Sequence, residues 1–147
     1  MSRIVRVGLV GLLGTLVLAA CGDEGIGGAQ RAFAEQADEV CLDVQEQVGR
    51  ELGDDPAADR DALRAATERF MQMNPPNEGR ETFELFRRNL NNLWLNLQDI
   101  AQSQEPTVMD RAREQRARET MQTTHENVRR YAADYGMEQC ARGFGRG

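Results

Sequence analysis

The chain has 147 residues, with 18 Arg plus Lys against 24 Asp plus Glu and a net charge of −6. That acidic balance argues against nucleic acid as a partner, because phosphate backbones reward basic surfaces, and against adhesion of the bare surface to anionic headgroups. The length suits one domain.

Taken in chain order, the first six residues carry Arg3 and Arg6 and no acid, and Val7 to Ala20 then run without a charge. A basic stretch followed by a short apolar one is the pattern of a secretory signal. A permanent membrane span needs about twenty apolar residues to cross roughly 30 Å of hydrocarbon, and this run is shorter and interrupted by Gly8, Gly11 and Gly14. It ends Leu18-Ala19-Ala20-Cys21, which resembles the lipobox of bacterial lipoproteins. The resemblance implies diacylglycerol on the Cys21 thiol, cleavage on the amino side of Cys21 by signal peptidase II, and often an acyl chain such as palmitate on the freed amine. Each buried CH₂ is worth about 0.8 kcal/mol, so two or three chains hold where one binds only marginally. The expected location is the outer face of the cell membrane, with the membrane itself as first partner. The alternative is an ordinary secreted protein with a chance Cys at the cut.

Loss of residues 1–20 takes the net charge to −8, since Arg3 and Arg6 leave with the signal. Residues 21–28 form the lipidated cysteine and a Gly-rich tether, which as a flexible coil reaches about 15 Å. Residues 29–140 are the expected helical domain and 141–147 a flexible Gly/Arg tail.

With Cys21 committed to lipid, Cys41 and Cys140 remain, in an exported and oxidising setting where a disulfide is the natural reading. Closing a loop of about 100 residues is worth about 4.7 kcal/mol in the chain-entropy model. The alternatives are a free thiol packed as a small hydrophobe, or an isolated Cys ligand or nucleophile.

Four helical stripes run through the rest of the chain. Phe33, Ala37, Val40, Cys41, Val44, Val48 and Leu52 recur at steps of three and four on an otherwise charged segment. Gly53 is placed to end that helix, and Asp55-Pro56 to cap and start the next. Leu63, Ala66, Phe70 and Met73 make a weaker second stripe, ended by Pro75 and Pro76, with Asn77 as cap for the third. The third is the cleanest: Phe83, Phe86, Leu90, Leu93, Leu97 and Ile100, widened by Trp94. Beyond Pro106, Thr107 and Asp110 spell a weak capping box, and Ala117, Met121, Thr124, Val128, Tyr131 and Tyr135 repeat the spacing until Gly136. No stretch shows strand alternation. The expected fold is all-α, an antiparallel up-down four-helix bundle with one disulfide; there the first and fourth helices are neighbours, and the segment Gly136 to Cys140 can turn back toward the first.

Catalytic chemistry is thinly supplied. After the signal, Ser103 is the one serine and His125 the one histidine. His125 lies four residues after Met121, so the two could face one side as soft metal ligands, although a polar boundary residue is the plainer reading. Asp54, Asp55, Asp59 and Asp61 lack the spacing of a calcium loop and suit capping instead. No catalytic, cofactor-binding or metal residue is assigned and no cofactor is expected. Met73, Trp94, Met121, Tyr131 and Tyr135 could line an apolar pocket, though such residues are more often core. Asn89, Asn91, Asn92 and Asn96 put an uncharged polar run beside Trp94, the face to watch for a partner.

The segment FAEQADEVC ending at Cys41, the break at Pro75-Pro76 and the closing YGMEQC together resemble a loose group of small actinobacterial lipoproteins and exported proteins. The likeness spans most of residues 30–140, on short motifs. It implies a disulfide-pinned helical bundle with Cys41, Gly136 and Cys140 as structural residues, and for most members no known activity. The expected function is a membrane-anchored extracytoplasmic module that is not an enzyme and engages an unknown envelope protein. The runner-up is a carrier of an apolar small molecule or lipid held between the helices.

Overall fold

A computed structural model describes residues 27–102 and 108–145, with side chains in the second stretch from residue 111 onward. The expected signal, the expected lipidation site Cys21, nearly all of the expected tether, Ser103 and the expected capping box at Thr107 and Asp110 fall outside what is described. The described residues fold into helices only: α1 (Gly28–Gln47), α2 (Pro56–Gln72), α3 (Arg80–Gln102), α4 (Val108–Tyr135) and a short α5 (Glu138–Arg142).

In α1 the buried apolar side chains are Phe33, Ala34, Ala37, Val40, Cys41 and Val44, the stripe that a 3.6-residue period produces. The helix stops at Gln47, a turn or more before the expected end near Leu52. The cause is Asp59, fully buried, whose carboxylate accepts the backbone N–H groups of Gly49 and Gly53. Those donors hold residues 48–55 in a loop folded over the start of α2. Asp55 caps α2 as expected, accepting the Ala58 N–H at 3.1 Å, and Pro56 is its first residue.

The expected cap at Asn77 is not used in that way. Its side-chain oxygen accepts from the Arg80 guanidinium, and the first turn of α3 closes on the Gly79 carbonyl instead. α3 itself buries Phe83, Phe86, Leu90, Leu93, Leu97 and Ile100, every position of the expected seam. In α4, Ala117, Thr124, Val128 and Tyr135 are buried, joined by Ala132, while Met121 and Tyr131 pack against the core with part of their surface exposed.

Rings from all four main helices meet at the centre, two of them from α3. Phe33 stands edge-on to Phe83 at 4.9 Å, Phe70 to Phe86 at 5.0 Å, and Phe83 lies 5.4 Å from Tyr135. Such pairs add about 0.5–1.5 kcal/mol each beyond their buried area. Phe70, late in α2, meets Phe86, early in α3, whereas Arg64 and Trp94 border one groove further along. Likewise Tyr135 meets Phe83, Thr124 meets Asn96 and Arg113 meets Asp99. On both pairs of helices, residue numbers rise on one as they fall on its neighbour.

The end of the chain departs from expectation. Residues 141–145 are not a loose tail: α5 continues to Arg142, and Phe144 is 3 % exposed and belongs to the core cluster. A Gly/Arg-rich composition masks one phenylalanine, which packs between α4 and the loop that follows α1.

Candidate functional site

Two features concentrate the polar chemistry of the domain: a strap formed by α5 against α1 and α4, and a seam on the surface between α2 and α3.

The strap begins at Gly136, whose φ of +95° takes the chain out of α4. The N–H groups of Gly136 and Met137 both bond back to the Ala132 carbonyl, satisfying acceptors that a helix end would otherwise leave open. Three polar side chains of α1, at steps of eight and seven, then hold α5 and the residues on either side of it. Gln30, buried, donates to the Tyr135 carbonyl at 2.9 Å. Asp38 accepts the N–H groups of Gln139 and Cys140 at 2.8 and 3.0 Å, capping α5 from another helix. Gln45 donates to the carbonyls of Gln139 and Gly143 at 2.8 and 2.9 Å. On the same face Cys41 and Cys140 form a disulfide with α-carbons 5.2 Å apart, inside the usual bonding range.

Beyond α5 the chain is locked to α4. The Phe144 N–H donates to His125 Nε2 at 3.0 Å and the two rings stack 6.0 Å apart. An imidazole nitrogen that accepts must be unprotonated, so His125 is neutral here with its proton on Nδ1. Burial pushes its pKa below the usual value, the Arg129 charge lowers it further, and Glu126 opposes both. Gly143 makes this approach possible: at φ +85°, an added Cβ would lie 2.7 Å from His125 Nε2.

Met121 and His125 do share a wall, in a depression of about 330 Å³ that Phe144, Arg50 and Arg142 also line. The Nε2 lone pair is taken by Phe144, which leaves the pair poorly suited to a metal. Among the described residues no group of three His, Cys, Asp or Glu is arranged to hold one.

The seam carries the expected polar-aromatic face, but only part of the asparagine run reaches it. Asn89 donates to the Leu85 carbonyl and Asn96 to the Thr124 hydroxyl, and Asn92 is exposed. Asn91 and Trp94 line a groove of about 670 Å³ with Met71, Gln72 and Gln98.

No protein-family model, no curated protein and no solved structure matches the chain.

Sequence reasoning brought Cys41 and Cys140 together and placed Trp94 beside polar residues, whereas Asp38, Gln45, His125 and Phe144 as members of one strap went unseen. The signal for Asp38 and Gln45 was available: with Gln30 they repeat along α1 at nearly the heptad spacing of the apolar stripe, so a second, polar stripe faced a partner.

Proposed function

We propose that the chain is a lipoprotein held through Cys21 on the outer face of the cell membrane, and that its domain is a non-catalytic interaction module. In this reading the domain is an antiparallel up-down bundle set off the membrane by the tether after signal cleavage. The observation that carries it is the buried Cys41–Cys140 bond, because disulfides persist in oxidising compartments and are rare in the cytosol. The lipobox spelling at Leu18-Ala19-Ala20-Cys21 and the likeness to small actinobacterial lipoproteins support the same location. No helix among the described residues is long and apolar enough to cross a membrane.

The module is favoured over the apolar carrier because the level where all four helices meet is filled by Phe33, Phe70, Phe83, Phe86 and Tyr135, while the grooves at His125 and Trp94 open to the surface. An engaged partner then lies outside the bundle. The test is Cys21→Ser with membrane fractionation and mass spectrometry of the N-terminal peptide. The expected outcome is a lipid-modified Cys21 peptide in the native chain, with loss from the membrane or stalled maturation in the variant. Normal retention with an unmodified native peptide refutes the anchor. Crosslinking on intact cells then identifies what the module contacts.

A further inference from the structure

The groove at Trp94 is one stretch of a longer trough. Met71 and Asn91 also line a depression of about 340 Å³ toward the start of α3, and Arg64, Trp94 and Gln98 line another of about 290 Å³ toward its end. The three lie in file along the α2–α3 seam from Glu84 to Gln102, a run of about 27 Å at 1.5 Å per residue. A channel of that form takes a linear ligand lying along the helices.

Its chemistry narrows the ligand. The charges that line it are largely cancelled within the protein: Arg60 pairs with Asp61, Arg64 with Glu68 and Arg87 with Glu84, leaving Arg88 as the lining charge without an ion-pair partner among the described residues. A ligand carrying several charges would compete with these pairs, whereas a neutral one leaves them intact. Between the pairs stand Gln72, Asn91 and Gln98, whose side-chain amides make no hydrogen bond among the described residues. Each offers two donors and an acceptor in one plane, the pattern that meets neighbouring hydroxyl groups. Trp94 is wall to two of the three depressions. Indole supplies a broad apolar face for the C–H surface of a sugar ring. Met71 adds an apolar edge, exposed at 60 %.

From this arrangement we propose that the α2–α3 seam binds a neutral linear oligosaccharide, with Trp94 as the stacking surface and Asn91, Gln72 and Gln98 as hydroxyl ligands. A helical partner would ask for an apolar stripe, which the seam lacks. The proposal gives the interaction module its ligand class, and it leans on the extracytoplasmic reading only for where such a glycan is met. Binding is measured on purified protein, so its failure leaves the anchor at Cys21 untouched.

The chain has a single tryptophan, which makes its own emission the probe. Purified full chain, in a detergent without a sugar headgroup, is titrated with N-acetylchitotetraose, cellohexaose and maltohexaose to about 10 mM, which covers even weak specific binding. The expected result is a saturable change in Trp94 emission with at least one oligomer, and binding at least about tenfold weaker for the matching monosaccharide. Asn91→Ala and Gln98→Ala, with helical circular dichroism unchanged, should each weaken binding about tenfold; the exposed Gln72→Ala serves if either fails to fold. A flat emission with all three oligomers overturns the proposal. So do variants that bind like the native chain, and so does saturation by an uncharged extended peptide in place of the sugars.

Discussion

The two ends of the bundle are built from the same kind of helix and held by different forces. At the end where α4 finishes, α1 grips the strap through Gln30, Asp38 and Gln45, the disulfide closes over it, and rings from all four main helices interlock. At the other end α4 from Arg111 to Thr120 lies on α3 as an arm. There Ala117 is buried while most of its neighbours are exposed, and neither Ala117 nor Ile100 joins the main core cluster. Polar contacts on the arm are surface ion pairs such as Arg113–Asp99 and Arg118–Glu114. Exposed pairs of that kind contribute about 0–1 kcal/mol. Helical periodicity alone does not distinguish the ends; only what each helix buries does.

The sharpest test removes the covalent closure. Cys41→Ala with Cys140→Ala should lower unfolding stability by about 2–5 kcal/mol, read as a fall in the thermal midpoint with the helical spectrum retained at low temperature. A shift no larger than that of a surface substitution would break the contrast, since the strap would then be held by its hydrogen bonds alone.

A smaller effect is expected at His125. Its folded pKa lies below the unfolded value, so the unfolded chain binds the proton more readily and stability falls as pH drops below about 6.5. Above that pH the contribution is fully present; once pH has passed below the lowered folded value, nothing further is lost from this group. Protonation also converts Nε2 from acceptor to donor and removes the Phe144 bond. His125→Gln keeps a side chain that can accept without titrating. Its stability between about pH 7.5 and about pH 5.5 should therefore decline less than that of the native chain. His125→Ala at neutral pH should cost about 0.5–1.5 kcal/mol, the net value of one hydrogen bond. Equal pH slopes in native and Gln chains would show that another group governs the acid response.

Least of all should be felt on the arm. Arg113→Ala should change stability by no more than about 1 kcal/mol, by the same thermal measurement. Amide hydrogen exchange of the native chain should show residues 111–117 opening at lower free energy than residues 124–135, because few apolar contacts among the described residues hold them. Equal protection along α4 would mean that the arm is not a separate region.

What could be read in the sequence tracks how local its cause is. The α3 seam was fully legible, since six large apolar residues at helical spacing have only one face to bury. The α2 cap was equally plain, because Asp55 and its target lie three residues apart. α5 was not legible: a five-residue helix cannot sustain itself, and its N-terminal donors are met by Asp38, about a hundred positions away. The early end of α1 was hidden likewise, for Asp59 reads locally as an acid in the first turn of α2 and acts on glycines of the preceding loop. At the seam, consecutive asparagines point in different directions around a helix, so composition flagged the face but could not say that Asn91, and not Asn92, would border Trp94.

The bond between α1 and α5 closes the greater part of the domain into a covalent ring, with Cys41 at one end and Cys140 at the other. The arm and the connections between the helices all lie between Cys41 and Cys140, inside that ring. A single nick there opens the chain but releases no fragment, because both new ends remain attached through the two sulfurs. With Cys21 lipidated as proposed, both pieces also stay on the membrane, and shedding after one cut requires either reduction of the bond or a cut between Cys21 and Cys41. On the proposed location, resistance to loss from the cell surface is thus set by where the bond falls in the chain as well as by how firmly the domain is folded.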